Sequence, residues 1–382
     1  MRFATKALRV GQDLDPQYMA VIPPLYQSAT FGWQDLDTTP KFDYTRCGNP
    51  NRNTLEQVIA ALENGKHCVA FSSGMAAIVA AFSLAQAGDH ILIAGDIYGG
   101  TFRIGEKYLP KQGIQVGEFC AHNPLSINDA VQPNTKLLIF ETPTNPNLRV
   151  SDIAAVVKIA KQHGLIVIFD NTFASPVLQN PLDLGVDIVV HSTTKYISGH
   201  SDVIGGAVIT NNDDYYTTVY EWNKAVGAAP SPFDCWLSLR GVKTMKCRMD
   251  VHCKNAQAVA EFLDAHPRVK TSHYPGLLTH PDHQVARRQM RAFGGMLAFD
   301  VDGTVAQARK VAESTNVFLL AESLGGVESL IAYPPLMSHA TMTEEQRVSK
   351  GIPPTLLRLS VGIEDAEDLI EDLDQALKAA FA

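Results

Sequence analysis

The sequence predicts an α/β protein: a mainly parallel sheet with helices on both faces, followed by a smaller α+β domain. Five short runs are apolar almost throughout: "CVAF" (68–71), "HILIA" (90–94), "KLLIF" (136–140), "LIVIF" (165–169) and "DIVVH" (187–191). Continuous runs, as opposed to alternating ones, belong to strands buried on both faces. Helical patterns such as "SGMAAIVAAFSLAQAG" and "SDIAAVVKIAKQHG" lie between them, and strands alternating with helices build parallel sheets. Near residue 242 the rhythm changes to shorter, mixed elements.

Residues 1–52 mix Pro, Gly, Asp and aromatics without sustained periodicity. With Tyr26, Phe31, Trp33, Phe42 and Tyr44 they hold too many aromatics for a solvated tail, so an extended arm packed on another surface is expected. Asn53 and Glu56 have capping-box spacing, which predicts a helix through Glu63 stopped by Asn64-Gly65. The α/β rhythm fills residues 53–241. From Asp234 to Ala265 the pattern predicts one long helix. "MLAFDV" (296–301) and "TLLRLSV" (355–361) then predict strands, and "DAEDLIEDLDQALKAA" (365–380) a closing helix. Residues 242–382 form the expected second domain.

Composition narrows the function classes. Of 382 residues, 46% are hydrophobic and 19% charged, the net charge is −8, and no Lys/Arg run stands out. Nucleic acid and anionic membrane surfaces are therefore not expected partners. No run reaches the roughly 18 apolar residues of a membrane helix, and the N-terminus lacks the apolar core of a secretory signal. Six cysteines are scattered without a C-x-x-C pair, which favours reduced thiols and the cytoplasm. The histidines show no ligand spacing, so no metal is expected.

Ligands of a parallel α/β sheet bind at the carboxyl ends of its strands. Ser72-Ser73-Gly74, Asp96 to Gly100, Glu141 to Asn145, Asp170-Asn171-Thr172 and Ser192 to Lys195 all follow apolar runs. "SSGMAA" (72–77) offers helix N-terminal N–H groups to an anion, although a plain serine cap with a glycine turn has the same sequence. Asp170 caps a turn or faces a cation. Lys195 follows a buried run among hydroxyls, and a desolvated lysine loses its proton near neutral pH and attacks carbonyls. A lysine for an aldehyde, an acid for a pyridine nitrogen and an anion cradle are together what pyridoxal phosphate requires.

Beyond these three, "YTRCGNPNRNTLE" (44–56), "FSSGMAA" (71–77), "DIYGGT" (96–101), "ETPTNP" (141–146), "DNTFASP" (170–176), "HSTTKYISGHSD" (191–202), "AESLGGVESL" (321–330) and "LLRLSVGIE" (356–364) occur in order. With them the whole chain resembles the pyridoxal-phosphate enzymes of cysteine and methionine metabolism, the cystathionine γ-lyase and γ-synthase family. The resemblance implies the type I fold of these enzymes, and a homotetramer of dimers that share active sites. It implies that Lys195 carries the cofactor and moves protons, that Asp170 meets the ring nitrogen, and that Tyr98 stacks on the ring as acid or base. The phosphate falls to Gly74, Met75, Ser192 and Thr194, with Tyr44 and Arg46 from a neighbouring subunit, and Thr172 joins the cofactor set. Arg358 clamps the substrate carboxylate with Asn145 and Ser323, while Glu322 and Arg103 complete the substrate set. Read singly, Tyr98 is equally a core aromatic, Arg358 a surface ion pair and Arg46 a loop residue.

The chain departs from the family pattern at Asn51 and Cys47, beside the phosphate arm, where threonine and a small residue are common. Gly100 stands where methionine γ-lyases carry cysteine, which counts against that activity. Glu322 is the acid of γ-lyases and γ-synthases, suited to the distal ammonium of cystathionine. The expected reaction is γ-elimination of cystathionine to cysteine, 2-oxobutanoate and ammonia. Cystathionine γ-synthase follows as the alternative, then β-lyase or O-acetylhomoserine sulfhydrylase; a non-catalytic amino-acid-binding regulator is the reading from another class.

Overall fold

Seven strands form the larger sheet of the computed structural model, which describes residues 1–15, 17–340 and 342–382. They are β1 (His67–Phe71), β2 (His90–Ala94), β3 (Gln115–Phe119), β4 (Thr135–Glu141), β5 (Ile166–Asp170), β6 (Ile188–Ser192) and β7 (Gly206–Thr210), in the order β1-β7-β6-β5-β4-β2-β3. The pairings among β2 to β6 are parallel, and β7 alone runs against its neighbours. The five apolar runs became β1, β2, β4, β5 and β6. β2 and β7 are buried along their whole length, as a sheet covered on both faces requires. β3 escaped the sequence reading because it is an edge strand whose residues are mostly in contact with solvent.

The smaller sheet joins β8 (Val269–His273), β9 (Met296–Val301), β10 (Leu319–Leu320), β11 (Leu330–Ala332) and β12 (Leu356–Ser360) in the order β10-β11-β12-β9-β8. The closing helix Ala366–Ala380 buries Leu369, Leu373, Ala376 and Leu377 at helical spacing. These side chains share a second core with Phe299, Leu357 and Leu359 of β9 and β12. Among the described residues, no helix is long and apolar enough to cross a membrane.

Three local expectations need correction. The first sheet helix starts at Pro50, not Asn53: Asn49 is the cap, accepting the Asn51 N–H at 2.9 Å, and Pro50 occupies the first turn. Glu56 instead accepts the Ala70 N–H of β1 at 2.9 Å. The long helix from Asp234 is two, Pro232–Lys243 and Met245–Ala265. Arg248 captures the Gly241 carbonyl at 2.9 Å, and a Cβ at Gly241 would collide with the Ser198 carbonyl, so the break follows from a tertiary contact. The N-terminal segment opens with a short helix, Phe3–Arg9, whose Lys6 Nζ donates to the Ala61 carbonyl at 2.8 Å. Among the described residues, the rest of the arm has no helix or strand before Pro50 except one bridge between Thr30 and Tyr44. Asn51 ties it down, accepting the Tyr26 N–H and donating to the Pro24 carbonyl, each at 2.8 Å.

The end of helix Pro50–Leu62 is fastened under the strand ends that carry the polar rim. Glu63, fully buried, accepts from His191 Nε2 at 2.6 Å, Asn171 Nδ2 at 2.7 Å and Asn180 Nδ2 at 3.2 Å. Truncation to alanine strands those donors, at about 1–3 kcal/mol each where no water replaces the carboxylate. Glu63→Ala should therefore lower the urea midpoint of unfolding markedly, while Glu63→Gln should lose less. Equal midpoints for Glu63→Ala and the unaltered chain would contradict this account.

Candidate active site

The carboxyl ends of β4, β5 and β6 open into a cavity of about 1120 Å³, closed on its other side by residues 319–338 and by β12. Lys195 stands in the turn after β6, its N–H bonded to the Ser192 carbonyl at 3.2 Å. Its ammonium donates to Ser323 Oγ at 2.7 Å. Burial pulls its pKa down to about 8, aided by the Arg358 charge and opposed by Glu322. The amine thus has a neutral, nucleophilic form within reach of physiological pH.

Ser192 and Gly74 form a tight corner. A Cβ on Gly74 would lie 2.8 Å from Ser192 Cβ, so glycine is what lets the start of helix Gly74–Phe82 approach β6. Ser73 caps that helix by accepting the Ala76 N–H at 3.1 Å. The N–H groups of Gly74 and Met75, which have no intrahelical acceptor, face outward from the helix end. Thr194 is braced by the Gly205 N–H at 3.0 Å. Thr172 Oγ1 accepts the Ser192 N–H at 2.9 Å, so it holds the corner from the turn after β5.

Asp170 ends β5, with Glu141 directly across from it on β4. Both lie in the cavity wall. Burial pushes the Asp170 carboxyl up, while its bonds from Thr172 and nearby His191 work against the rise. Burial and the Asp170 charge push Glu141 well above the carboxylate range. Two carboxylates in one desolvated wall cannot both ionise freely.

Tyr98 precedes helix Gly99–Lys107 and projects into the same cavity, its phenol pushed up chiefly by burial. A Cβ on Gly100 would collide with the Tyr98 ring, so the bare backbone at 100 is part of how Tyr98 is seated. Arg358, buried on β12, donates through Nη1 to Asn145 Oδ1 and through Nη2 to the Ser323 carbonyl, each at 2.9 Å. Burial lowers its pKa to about 10. Arg103 and Glu322 also line the wall.

Thirteen of the expected site residues thus share one cavity, and two do not. Tyr44 and Arg46 are absent from its lining; Arg46 Nη1 donates to the Lys224 carbonyl at 2.5 Å and its guanidinium lies 5.5 Å from the Tyr44 ring. Sequence reasoning placed Ser73 and Glu141 on the polar rim without giving either a role, and it passed over Met337 and Ser338; all four line the cavity. Glu141 had a usable signal, a carboxylate directly after an apolar strand.

Residues 4–378 match the family model described as Cys/Met metabolism PLP-dependent enzyme. The chain is 45% identical to a cystathionine gamma-lyase of Dictyostelium discoideum, covering 98% of this chain and 97% of that one. It is 46% identical to a cystathionine beta-lyase of Lactococcus lactis, covering 98% of each. A solved cystathionine gamma synthase of Xanthomonas oryzae, in complex with cystathionine, superposes with a TM-score of 0.97 at 45% identity, covering 100% of this chain and 99% of that one.

Lys195 carries the first test of the site. If it is the cofactor's amine, capture of pyridoxal phosphate by the stripped protein should speed up about tenfold per pH unit and level off above about pH 8. Lys195→Ala should lose the bound chromophore and several orders of magnitude of turnover. A capture rate flat between pH 6 and 9, or near-normal turnover of the variant, would count against this assignment.

Proposed function

The chain belongs to the pyridoxal-phosphate-dependent enzymes of cysteine and methionine metabolism, and on that premise we propose that it splits cystathionine by γ-elimination into cysteine, 2-oxobutanoate and ammonia. The observation that carries this reading is one cavity wall holding both a guanidinium, Arg358, and an acidic side chain, Glu322. Arg358 with Asn145 and Ser323 suits the α-carboxylate of one amino-acid end. Glu322 lines the same cavity, near enough to act electrostatically on Lys195, Tyr98 and Arg358, and would receive the second ammonium of cystathionine.

The residues present fit the cofactor. The Gly74–Ser192 corner brings a serine hydroxyl up to a helix N-terminus on the cavity wall, Asp170 is an acid at the neighbouring strand end, and Lys195 is a desolvated amine in the same cavity. When bound, pyridoxal phosphate supplies the electron-withdrawing ring that makes the substrate α-proton acidic. Gly74, Met75, Ser192 and Thr194 would hold its phosphate and Asp170 its ring nitrogen, with Thr172 fixing the corner. Lys195 would take the α-proton and deliver it onward. Tyr98, whose raised pKa keeps its phenol protonated at neutral pH, would hand a proton to the departing cysteine sulfur.

γ-Synthesis is the second reading, favoured by the superposition on the Xanthomonas oryzae enzyme. The same residues would then add cysteine to an acylated homoserine. Offering the pure protein cystathionine, and separately O-succinylhomoserine with cysteine, should yield 2-oxobutanoate with cysteine from the first at the higher rate. Faster cystathionine formation from the second pair would replace the lyase reading by the synthase.

The arm of residues 1–52 is assigned to a neighbouring copy, in dimers that pair into a homotetramer in the cytoplasm. Tyr18, Val21, Ile22 and Trp33 are about half exposed or more, and Tyr44 and Arg46 stand outside their own chain's cavity. Arg46→Ala and Lys195→Ala, each impaired alone, should regain activity when subunits are exchanged, because one site of a mixed dimer collects both defects. Mixed dimers that form yet gain nothing would place Arg46 in its own chain's site.

A further inference from the structure

We propose that Glu141 is a positioning residue of this site: one carboxylate that fixes both the Tyr98 turn and the Asn145 turn, and so sets the distance between the acid and the carboxylate clamp. The inference rests on the site described above, whatever its preferred sulfur amino acid.

Glu141 is 7% exposed and ends β4. Its Oε2 accepts the N–H of Tyr98 at 3.2 Å, and its Oε1 accepts the N–H of Asn145 at 3.2 Å. These two backbone groups belong to loops far apart in sequence, and one side chain bridges them. Tyr98 caps helix Gly99–Lys107 in position but contributes no side-chain cap, and Glu141 supplies the acceptor at that end. Asn145 in turn presents its Oδ1 to Arg358 Nη1. The chain of contacts therefore runs from the Tyr98 backbone through Glu141 to Asn145 and Arg358. Glu141 needs both oxygens for this, which distinguishes it from a residue that merely fills the wall. Its neighbour across the strands, Asp170, accepts from one backbone group among the described residues, the Thr172 N–H at 3.0 Å, so the two matched carboxylates do different work.

Displacing either turn by a fraction of an ångström to an ångström misplaces a reacting group, and such errors cost up to about a hundredfold in rate. Glu141→Gln keeps one acceptor oxygen and turns an amide toward the other N–H. Glu141→Ala loses both acceptors. On the sulfur amino acid that the unaltered holoenzyme turns over best, the expectation is a fall in kcat/KM of about tenfold for Glu141→Gln and about a hundredfold for Glu141→Ala. Both parameters should contribute: kcat through Tyr98 and KM through Asn145. Pyridoxal phosphate affinity, titrated by its visible absorbance, should stay within about threefold.

The role is isolated by double-mutant cycles. If Glu141 acts through Tyr98, Glu141→Gln should reduce kcat far less in a Tyr98→Phe background than alone, and likewise for KM in an Asn145→Ala background. Additive losses in both cycles would overturn the proposal, as would kinetics within twofold of the unaltered enzyme. A loss confined to cofactor affinity would also overturn it, since Glu141 would then serve the cofactor beside Asp170. Glu141→Gln is near-isosteric, so the cycles are readable even if Glu141→Ala fails to fold. Because the substrate is whichever one the enzyme prefers, failure of the γ-elimination reading leaves this test standing.

Discussion

Burial of the Lys195 amine is the constraint around which the rest of the site is arranged. An ammonium taken out of water gives up its proton more readily, and here that brings its pKa to about 8. The Arg358 charge pushes in the same direction, and Glu322 pushes back. A buried amine is tolerable only with a hydrogen-bond partner, and Ser323 Oγ provides it at 2.7 Å. That partner lies between β10 and β11 of the smaller sheet, whereas Lys195 follows a strand of the larger one. The reactivity of one side chain therefore depends on two parts of the chain holding their places.

The same accounting applies to the acids. Glu63, Glu141 and Asp170 are each drawn into or toward the interior near the strand ends, and each is engaged by N–H donors. Glu63 braces the underside through side-chain donors from three positions. Glu141 and Asp170 brace the cavity side through backbone donors. Satisfied buried polar groups fix geometry more tightly than apolar packing does, because a displaced donor has nowhere else to bond. This explains how a site assembled from strand ends and loops can stay ordered.

Much of this was legible in the residues. Strands β1, β2, β4, β5 and β6 announced themselves because burial on both faces leaves no room for polar alternation, and their last residues named the rim where Asp170, Ser192 and Lys195 gather. Less legible was whatever depends on contacts distant in sequence. β3 lies at an edge and carries Gln115 and Glu118. The break at Thr244 has no proline or glycine of its own and comes from Arg248 gripping Gly241 and Tyr196. Asn53 carried the spacing of a cap, but Asn49 with Pro50 behind it was the better start. Glu141 was visible as a polar residue after a strand, yet its two partners sit on separate loops, which no local pattern encodes.

Arg358 shows how such an interior can be complete as a fold and incomplete as a set of hydrogen bonds. A guanidinium carries five donors. The protein engages one through each Nη, at Asn145 and at the Ser323 carbonyl, and Nε has no partner among the described residues. Three donors are left uncommitted by the protein's own acceptors. A planar carboxylate accepts two parallel N–H bonds from such a fork. Such a carboxylate would meet donors the protein leaves uncommitted, without displacing the bonds to Asn145 and Ser323 that hold the fork in place. Affinity for an amino-acid carboxylate would then come from the uncommitted donors, and orientation from the two bonds the protein keeps.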